Sequence, residues 1–129
     1  MPKDLTVTGP SRPGLFDALR DATASAGVGI EGICAFTTMG QRTFHLLASD
    51  DRAATVRRAV QNAGLEVKLE RDVFVVPVHE GPPAIADVAR RLAQAEVSVE
   101  FMYLATGDRL VVGVDNIDRA GAALIGFGS

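Results

Sequence analysis

The chain has 129 residues, a formal net charge of −3 at pH 7, one cysteine and no tryptophan. This length allows one ordinary domain or two very small ones. Basic and acidic residues are interspersed, so the sequence has no basic patch of the kind that binds nucleic acid or an anionic membrane surface. No apolar run approaches the ~20 residues of a membrane span, and the N-terminus lacks the apolar region of a signal peptide. A single cysteine suits a reducing compartment, so we expect a cytoplasmic protein.

The second half of the chain repeats the first half. Aligning Pro13 with Pro82 brings many identical or similar residues into register. The identical pairs include Val7 and Val76, Ala24 and Ala93, Ala26 and Ala95, Val28 and Val97, and Glu31 and Glu100. A repeat of this length indicates a duplicated domain and not a solenoid. We therefore predict two units, residues 1–71 and 72–129, rigidly coupled because no Gly/Ser-rich linker separates them.

Hydrophobic periodicity predicts the order strand, helix, strand, strand, helix, strand in the first unit. The predicted elements are a strand at 5–8, a helix from Leu15 that Gly27 ends, strands at 28–38 and 42–49 joined by a turn at 39–41, a helix capped by Asp50 or Asp51 that ends at Gly64, and a strand at 65–69. Such a unit folds most simply as a four-stranded antiparallel sheet with both helices on one face. The expected fold is therefore α+β and ferredoxin-like.

The second unit repeats this order but stops early. Its predicted elements are a strand at 73–78, a helix at 84–95, a hairpin of strands at 98–106 and 110–114, and a short helix at 118–125 capped by Asp115 or Asn116. Residues 127–129 are too few for a counterpart of the strand at 65–69. We therefore expect the second unit to lack its last strand.

Three segments resemble the motifs of one known domain family. The run Arg12-Pro13-Gly14-Leu15-Phe16, between a strand and a helix, resembles the (R/K)PG-L signature of that family. Residues 24–31 (ASAGVGIE) resemble its step from the first helix to the second strand. Residues 92–103 (LAQAEVSVEFMY) are similar to the equivalent segment of small stand-alone tandem ACT-domain proteins. This resemblance to the ACT domain family covers about residues 5–124.

The resemblance implies a regulatory fold that binds small metabolites, most often amino acids, between ACT units. Family ligands lie against the loop after the first strand and the start of the second strand. The matching positions in the first copy are Pro10, Ser11, Arg12, Pro13, Gly14, Leu15, Val28, Gly29 and Ile30, and those in the second copy are His79, Glu80, Gly81, Val97 and Ser98. A glycine at a helix start lets a ligand approach the backbone closely, and free first-turn N–H groups attract a carboxylate.

The chain departs from the family pattern at the expected ligand positions. Gly29 and Ser98 stand where the family often has a side-chain amide, and Pro83 stands where the first copy has Gly14. Proline removes an N–H donor that a carboxylate would use. The loop of the first copy, with Arg12 and Gly14, is therefore the better candidate site.

Two functions remain open from the sequence. The first is a non-catalytic regulatory protein that binds an amino acid or similar small carboxylate, as a homodimer and with a partner enzyme as its target. The alternative is an ACT scaffold without a ligand that acts as a dimerisation or protein-interaction module. No Ser-His-Asp order, HExxH, CxxC or P-loop motif is present, so we expect neither enzymatic activity nor a metal or cofactor. Cys34 is interpreted as a small buried apolar residue, and His45 as a residue of an interface on the open face of the sheet.

Overall fold

The computed structural model describes residues 1–127, which divide after Arg71 into two compact units. Its elements are β1 (Lys3–Pro10), α1 (Leu15–Ser25), β2 (Ile33–Thr38), β3 (Gln41–Ala48), α2 (Ala53–Asn62), β4 (Glu66–Asp72), β5 (Phe74–Pro77), α3 (Pro82–Gln94), β6 (Val99–Ala105), β7 (Arg109–Val114) and α4 (Ile117–Ala123). No helix among residues 1–127 is long and apolar enough to cross a bilayer.

The first unit is a four-stranded sheet with the strand order β2-β3-β1-β4. Strand β3 pairs antiparallel with both β1 and β2. Alternate residues of these strands join both helices in one core, so α1 and α2 cover the same face. The core contains Leu5 and Val7 of β1, Leu15 and Leu19 of α1, Phe44 and Leu46 of β3, and Val56 and Val60 of α2. The predicted α+β ferredoxin-like arrangement is confirmed for this unit.

The second unit repeats this plan with one strand fewer. Residues 72–127 form a three-stranded antiparallel sheet with the order β5-β7-β6. Helices α3 and α4 share its core through Val88, Leu92 and Ala120, which are all fully buried. The ring of Phe101 lies against Gly113 so closely that a Cβ there would fall 2.3 Å from it. Within these residues, no strand corresponds to β4.

Helices α1 and α3, which are equivalent in the two units, end with the same two hydrogen bonds. After α1, Gly27 has a φ of 77° and its N–H donates to Ala24, while the N–H of Val28 donates to Thr23. This pair of bonds is a Schellman motif, which needs a left-handed residue at the position of Gly27. The end of α3 has the same two bonds, with Glu96 at a φ of 58° in the left-handed position. The second copy thus keeps the turn without the glycine.

Two local predictions in the first unit are wrong. Strand β2 begins at Ile33 and not at Val28, because the Schellman motif holds the amide of Val28 against the helix. The N-cap of α2 is Arg52, with no side-chain cap, and not Asp50 or Asp51. The carboxylate of Asp51 instead accepts a 2.7 Å hydrogen bond from the hydroxyl of Ser49, which lowers the pKa of Asp51. The predicted cap of α4 is confirmed, since the side chain of Asn116 accepts from the amide of Arg119 at 3.0 Å.

Candidate functional site

A backbone hydrogen bond anchors the loop between β1 and α1. The N–H of Ser11 donates to the carbonyl of Gly40, in the turn between β2 and β3, at 2.9 Å. Gly14 adopts a φ of 84°, and a Cβ built there would meet nothing within 4 Å. Gly14 is the N-cap of α1 and provides no side-chain cap. The start of α1 therefore borders open space, and a ligand can approach its backbone closely.

A cleft of about 350 Å³, which we call the loop cleft, lies at this corner of the first unit. Its lining consists of Ser11, Arg12, Pro13, Gly14, Phe16, Asp17 and Arg42. Arg42 belongs to β3, and the strand register places it opposite Gly9, next to the loop. Its Nε donates to Thr37 Oγ1 at 3.2 Å and its Nη2 to Ser11 Oγ at 3.4 Å. These bonds hold the guanidinium group at the cleft.

The loop cleft carries two arginines, Arg12 and Arg42, that have no carboxylate partner among residues 1–127. Asp17 supplies the one carboxylate of the lining and lies 3.8 Å from Nε of Arg20. The cleft therefore presents a strong anion-binding group beside a single carboxylate.

A second cleft of about 360 Å³, which we call the apolar cleft, lies between α1 and the start of β2. Its lining consists of Phe16, Arg20, Thr23, Ala24, Val28, Gly29, Ile30 and Ile33. The hydroxyl of Thr23 donates to the carbonyls of Leu19 and Arg20, so the helix already satisfies it. The remaining surface is mainly aliphatic and aromatic.

Phe16 lines both clefts and stands between them. Phe16 is 42% exposed, and its ring lies 6.5 Å from the ring of Phe44 in the core. The loop cleft and the apolar cleft therefore adjoin each other at this ring.

The structure brings most of the first-copy candidates to these clefts. Ser11, Arg12, Pro13 and Gly14 line the loop cleft, and Val28, Gly29 and Ile30 line the apolar cleft. Pro10 and Leu15 line neither cleft. Pro10 ends β1 opposite Gln41, and Leu15 points into the core with 1% of its surface exposed.

The second-copy candidates have other local roles. His79 lies beside Asp108 at 3.7 Å, with both side chains largely exposed, and it precedes Glu80 in the exposed turn before α3. Gly81 is the N-cap of α3 at a φ of 78°. Val97 is buried in the core, and the amide of Ser98 donates to the carboxylate of Asp115 at 3.0 Å.

Several residues of the clefts were not predicted from the sequence. Asp17 and Arg20 lie on the exposed side of α1, and a helical wheel could have placed them near the loop. Arg42 and Ile33 come from β3 and β2, and only the strand register brings them to the site. The interpretation of Cys34 as a buried apolar residue is wrong, because its side chain is partly exposed and it lies directly opposite His45.

No protein-family model and no curated protein matches the sequence. Solved structures do match. A protein of Bacteroides thetaiotaomicron superposes with a TM-score of 0.78 at 19% identity, over 95% of this chain and 85% of the other. The ligand-free regulatory subunit of aspartate kinase from Thermus thermophilus gives 0.72 at 19% identity, over 95% and 87%. The same subunit from Thermus flavus gives 0.71 at 20%, over 95% and 88%.

The chain has the fold of ACT-domain proteins. The resemblance noted in its sequence is therefore confirmed at the level of the fold. At these identities the match concerns the ACT fold alone, so function has to be argued from the residues of the clefts.

Proposed function

We propose that the chain is a non-catalytic regulatory protein that binds an α-amino acid in its first ACT unit. The observation that carries this proposal is a pair of arginines without carboxylate partners, in a cleft that adjoins an apolar cleft. An amino acid offers a carboxylate, an ammonium group and a side chain within a few ångströms. The two clefts offer a complementary group for each of them.

The carboxylate of the ligand would lie in the loop cleft. Guanidinium groups bind carboxylates through parallel, charge-assisted hydrogen bonds. Arg42 is already held in place by Thr37 and Ser11, so little side-chain freedom would be lost when it binds. The first-turn amides of α1 add further donors, and the positive end of the helix dipole favours an anion there.

The other two parts of the ligand have partners on either side of Phe16. The carboxylate of Asp17 suits the ammonium group, since it lines the same cleft as the arginines. The aliphatic lining by Val28, Ile30 and Ile33 suits an apolar side chain. We therefore infer an amino acid with a branched or linear apolar side chain as the ligand.

The second ACT unit is the weaker candidate for a ligand site. Helix α3 has proline at its first two positions, Pro82 and Pro83. Neither residue has an N–H group to offer a carboxylate. We infer one amino acid per chain, bound in the first unit.

The regulatory part of the proposal rests on the fold. Two of the matched structures are regulatory subunits of aspartate kinase. By analogy with these subunits, we expect this chain to act on a cytoplasmic partner enzyme. Ligand binding would order the loop at residues 11–14, which follows β1. A ligand changes a conformational equilibrium only by its difference in affinity for the two states, and the loop is the segment whose two states would differ.

A thermal-shift series with the full chain tests this function. Leucine, valine, isoleucine and methionine at millimolar concentration should raise the midpoint of unfolding, because a ligand that binds only the native state stabilises it, by about 2.7 kcal/mol at a hundredfold excess over Kd. Isoamylamine, which lacks the carboxylate, and 4-methylpentanoate, which lacks the ammonium group, serve as controls for leucine and should have much smaller effects. Absence of a shift with all twenty amino acids would contradict the proposal.

A second candidate function, pairing with another copy, is favoured by the edge strand β2. Residues Ala35, Phe36, Thr37 and Thr38 are all exposed, and β2 carries no charge and no proline. The other edge strand, β4, carries Glu66, Lys68 and Glu70. Charges protect an edge strand from pairing with another chain, and β2 lacks this protection. We therefore propose a homodimer in which β2 pairs with β2 of a second copy.

Sedimentation velocity at tens of micromolar tests the dimer. The unmodified chain should sediment as a dimer and Ala35→Lys as a monomer, because the new charge lies on the pairing edge. Leu69→Lys is the matched control, since Leu69 is 49% exposed on β4, and this variant should stay dimeric. A monomeric parent chain, or equal loss of dimer in both variants, would refute the β2 interface.

A further inference from the structure

Gly29 lines the apolar cleft, although the fold does not require a glycine at this position. Glycine is needed where the backbone adopts a left-handed φ or where a neighbour leaves no room for a Cβ. Gly27 has a φ of 77°, and a Cβ at Gly9 would collide with the side chain of Leu65. Gly29 shows neither feature, because its φ lies outside the left-handed region and a Cβ built there meets nothing within 4 Å. Backbone conformation and packing therefore allow a side chain at position 29.

The second unit carries a side chain at the equivalent position. The Schellman motifs at the ends of α1 and α3 place Ser98 in the position of Gly29. The amide of Ser98 donates to the carboxylate of Asp115 at 3.0 Å, and its carbonyl accepts from the amide of Asp115 at 3.1 Å. Within the part of the chain that the structure describes, residues 1–127, Gly29 takes part in no hydrogen bond. The first unit therefore leaves the backbone at this position accessible from the cleft.

The apolar cleft lies where the first unit starts its second strand late. Strand β6 begins at Val99, the equivalent of Ile30, whereas β2 begins only at Ile33. Residues 29–31 therefore precede the paired strand, and Val28, Gly29 and Ile30 line the cleft. Because Gly29 has no side chain, it contributes only backbone atoms to this lining. A side chain at position 29 would take up part of the space beside it.

We propose that Gly29 is a specificity-determining residue of the amino-acid site and selects ligands with a large apolar side chain. This inference rests on the proposed function, because it concerns the part of the ligand that lies in the apolar cleft. The missing side chain of Gly29 leaves room beside Val28 and Ile30 for a ligand that extends well beyond its own Cβ atom. Leucine and methionine use this room, whereas a ligand with a one-carbon or two-carbon side chain leaves much of it unfilled. One missing methylene in an apolar pocket changes selectivity by about tenfold or more.

Titration calorimetry of the full chain with leucine and with L-2-aminobutyrate, which has a two-carbon side chain, tests this selection. Gly29→Val should lower the affinity for leucine about tenfold or more, because the new side chain occupies the space of the ligand. The affinity for L-2-aminobutyrate should change much less, so the preference for leucine should fall by about the same factor. Gly29→Ala adds a smaller side chain and should lie between the parent and Gly29→Val.

The possible results distinguish the role of Gly29 from the proposed function. If the parent binds leucine and Gly29→Val binds it equally well, the role of Gly29 is overturned and the proposed function stands. An equal loss of both ligands in Gly29→Val also overturns the role, since the residue would then not discriminate between them. A parent chain that binds no amino acid overturns both.

Urea unfolding without ligand checks that the fold does not need a glycine at position 29. Gly29→Ala should raise the midpoint of unfolding slightly, because alanine restricts the unfolded chain more than glycine does. Gly27→Ala is the matched control and should lower the midpoint, since the Schellman motif needs the left-handed φ of 77° at Gly27. If Gly29→Ala loses as much stability as Gly27→Ala, the fold itself requires the glycine and the proposal is wrong.

Discussion

Replacing Arg12 and Arg42 together with glutamine should lower the affinity for the stabilising amino acid by a hundredfold or more. A hydrogen bond to a charged group contributes about 1.5–3 kcal/mol, and about 1.4 kcal/mol corresponds to a factor of ten in Kd. Neither guanidinium group is paired with a carboxylate in residues 1–127. Their removal therefore leaves no internal charge without its partner, and the fold should stay intact. Titration calorimetry of parent and double variant measures the difference.

The double variant Arg52→Gln/Arg58→Gln is the matched control for this loss. Both arginines are exposed on or next to α2, outside both clefts that adjoin Phe16, and the net charge of the chain changes by the same amount. This variant should bind the amino acid with parental affinity. An equal loss in both double variants would mean that overall charge, and not the loop cleft, attracts the ligand.

Phe44→Ala should destabilise the first unit by about 3–5 kcal/mol, the usual range for removing a buried phenylalanine. Phe44 is fully buried in the core between the sheet and both helices. The large cavity left behind explains the size of the effect, which approaches the whole stability of a small domain. Urea unfolding without ligand, followed by circular dichroism, measures the change.

Phe16→Ala provides a control of the same residue type. Phe16 is 42% exposed, so the removal of its ring loses less apolar contact than the removal of the Phe44 ring. An aromatic pair contributes about 0.5–1.5 kcal/mol beyond its buried area, and the loss in stability should be near this range. A loss as large as that of Phe44→Ala would contradict the description of the core.

The element order was predictable because its signals are local. The periodicity of Leu15 and Leu19 predicts α1, and Gly27 and Gly64 mark the left-handed turns that end α1 and α2. Because the sequence is repeated, each element predicted in one unit could be checked against the equivalent element of the other unit. The start of β2 was misplaced because Val28 and Ile30 favour a strand, while the helix-end motif uses the amide of Val28.

Only those parts of the candidate site that come from continuous segments of the sequence were predictable. The loop at residues 11–14 lines the loop cleft, and the segment from Val28 to Ile30 lines the apolar cleft. Each belongs to one continuous sequence motif. Arg42 reaches the loop through its register opposite Gly9. Register depends on pairing between distant segments, which no local pattern fixes. The placement of Cys34 opposite His45 is different, because the two residues face each other across the β2–β3 hairpin, where the turn fixes the register.

A crystal structure of the chain grown with the most stabilising amino acid tests the central claim most directly. The account predicts one amino acid per chain in the first unit, with its carboxylate on Arg12 and Arg42. Its side chain should lie beyond Phe16, against Val28 and Ile33. Empty clefts at saturating ligand, or an amino acid bound at the loop of residues 78–81 instead, would contradict it.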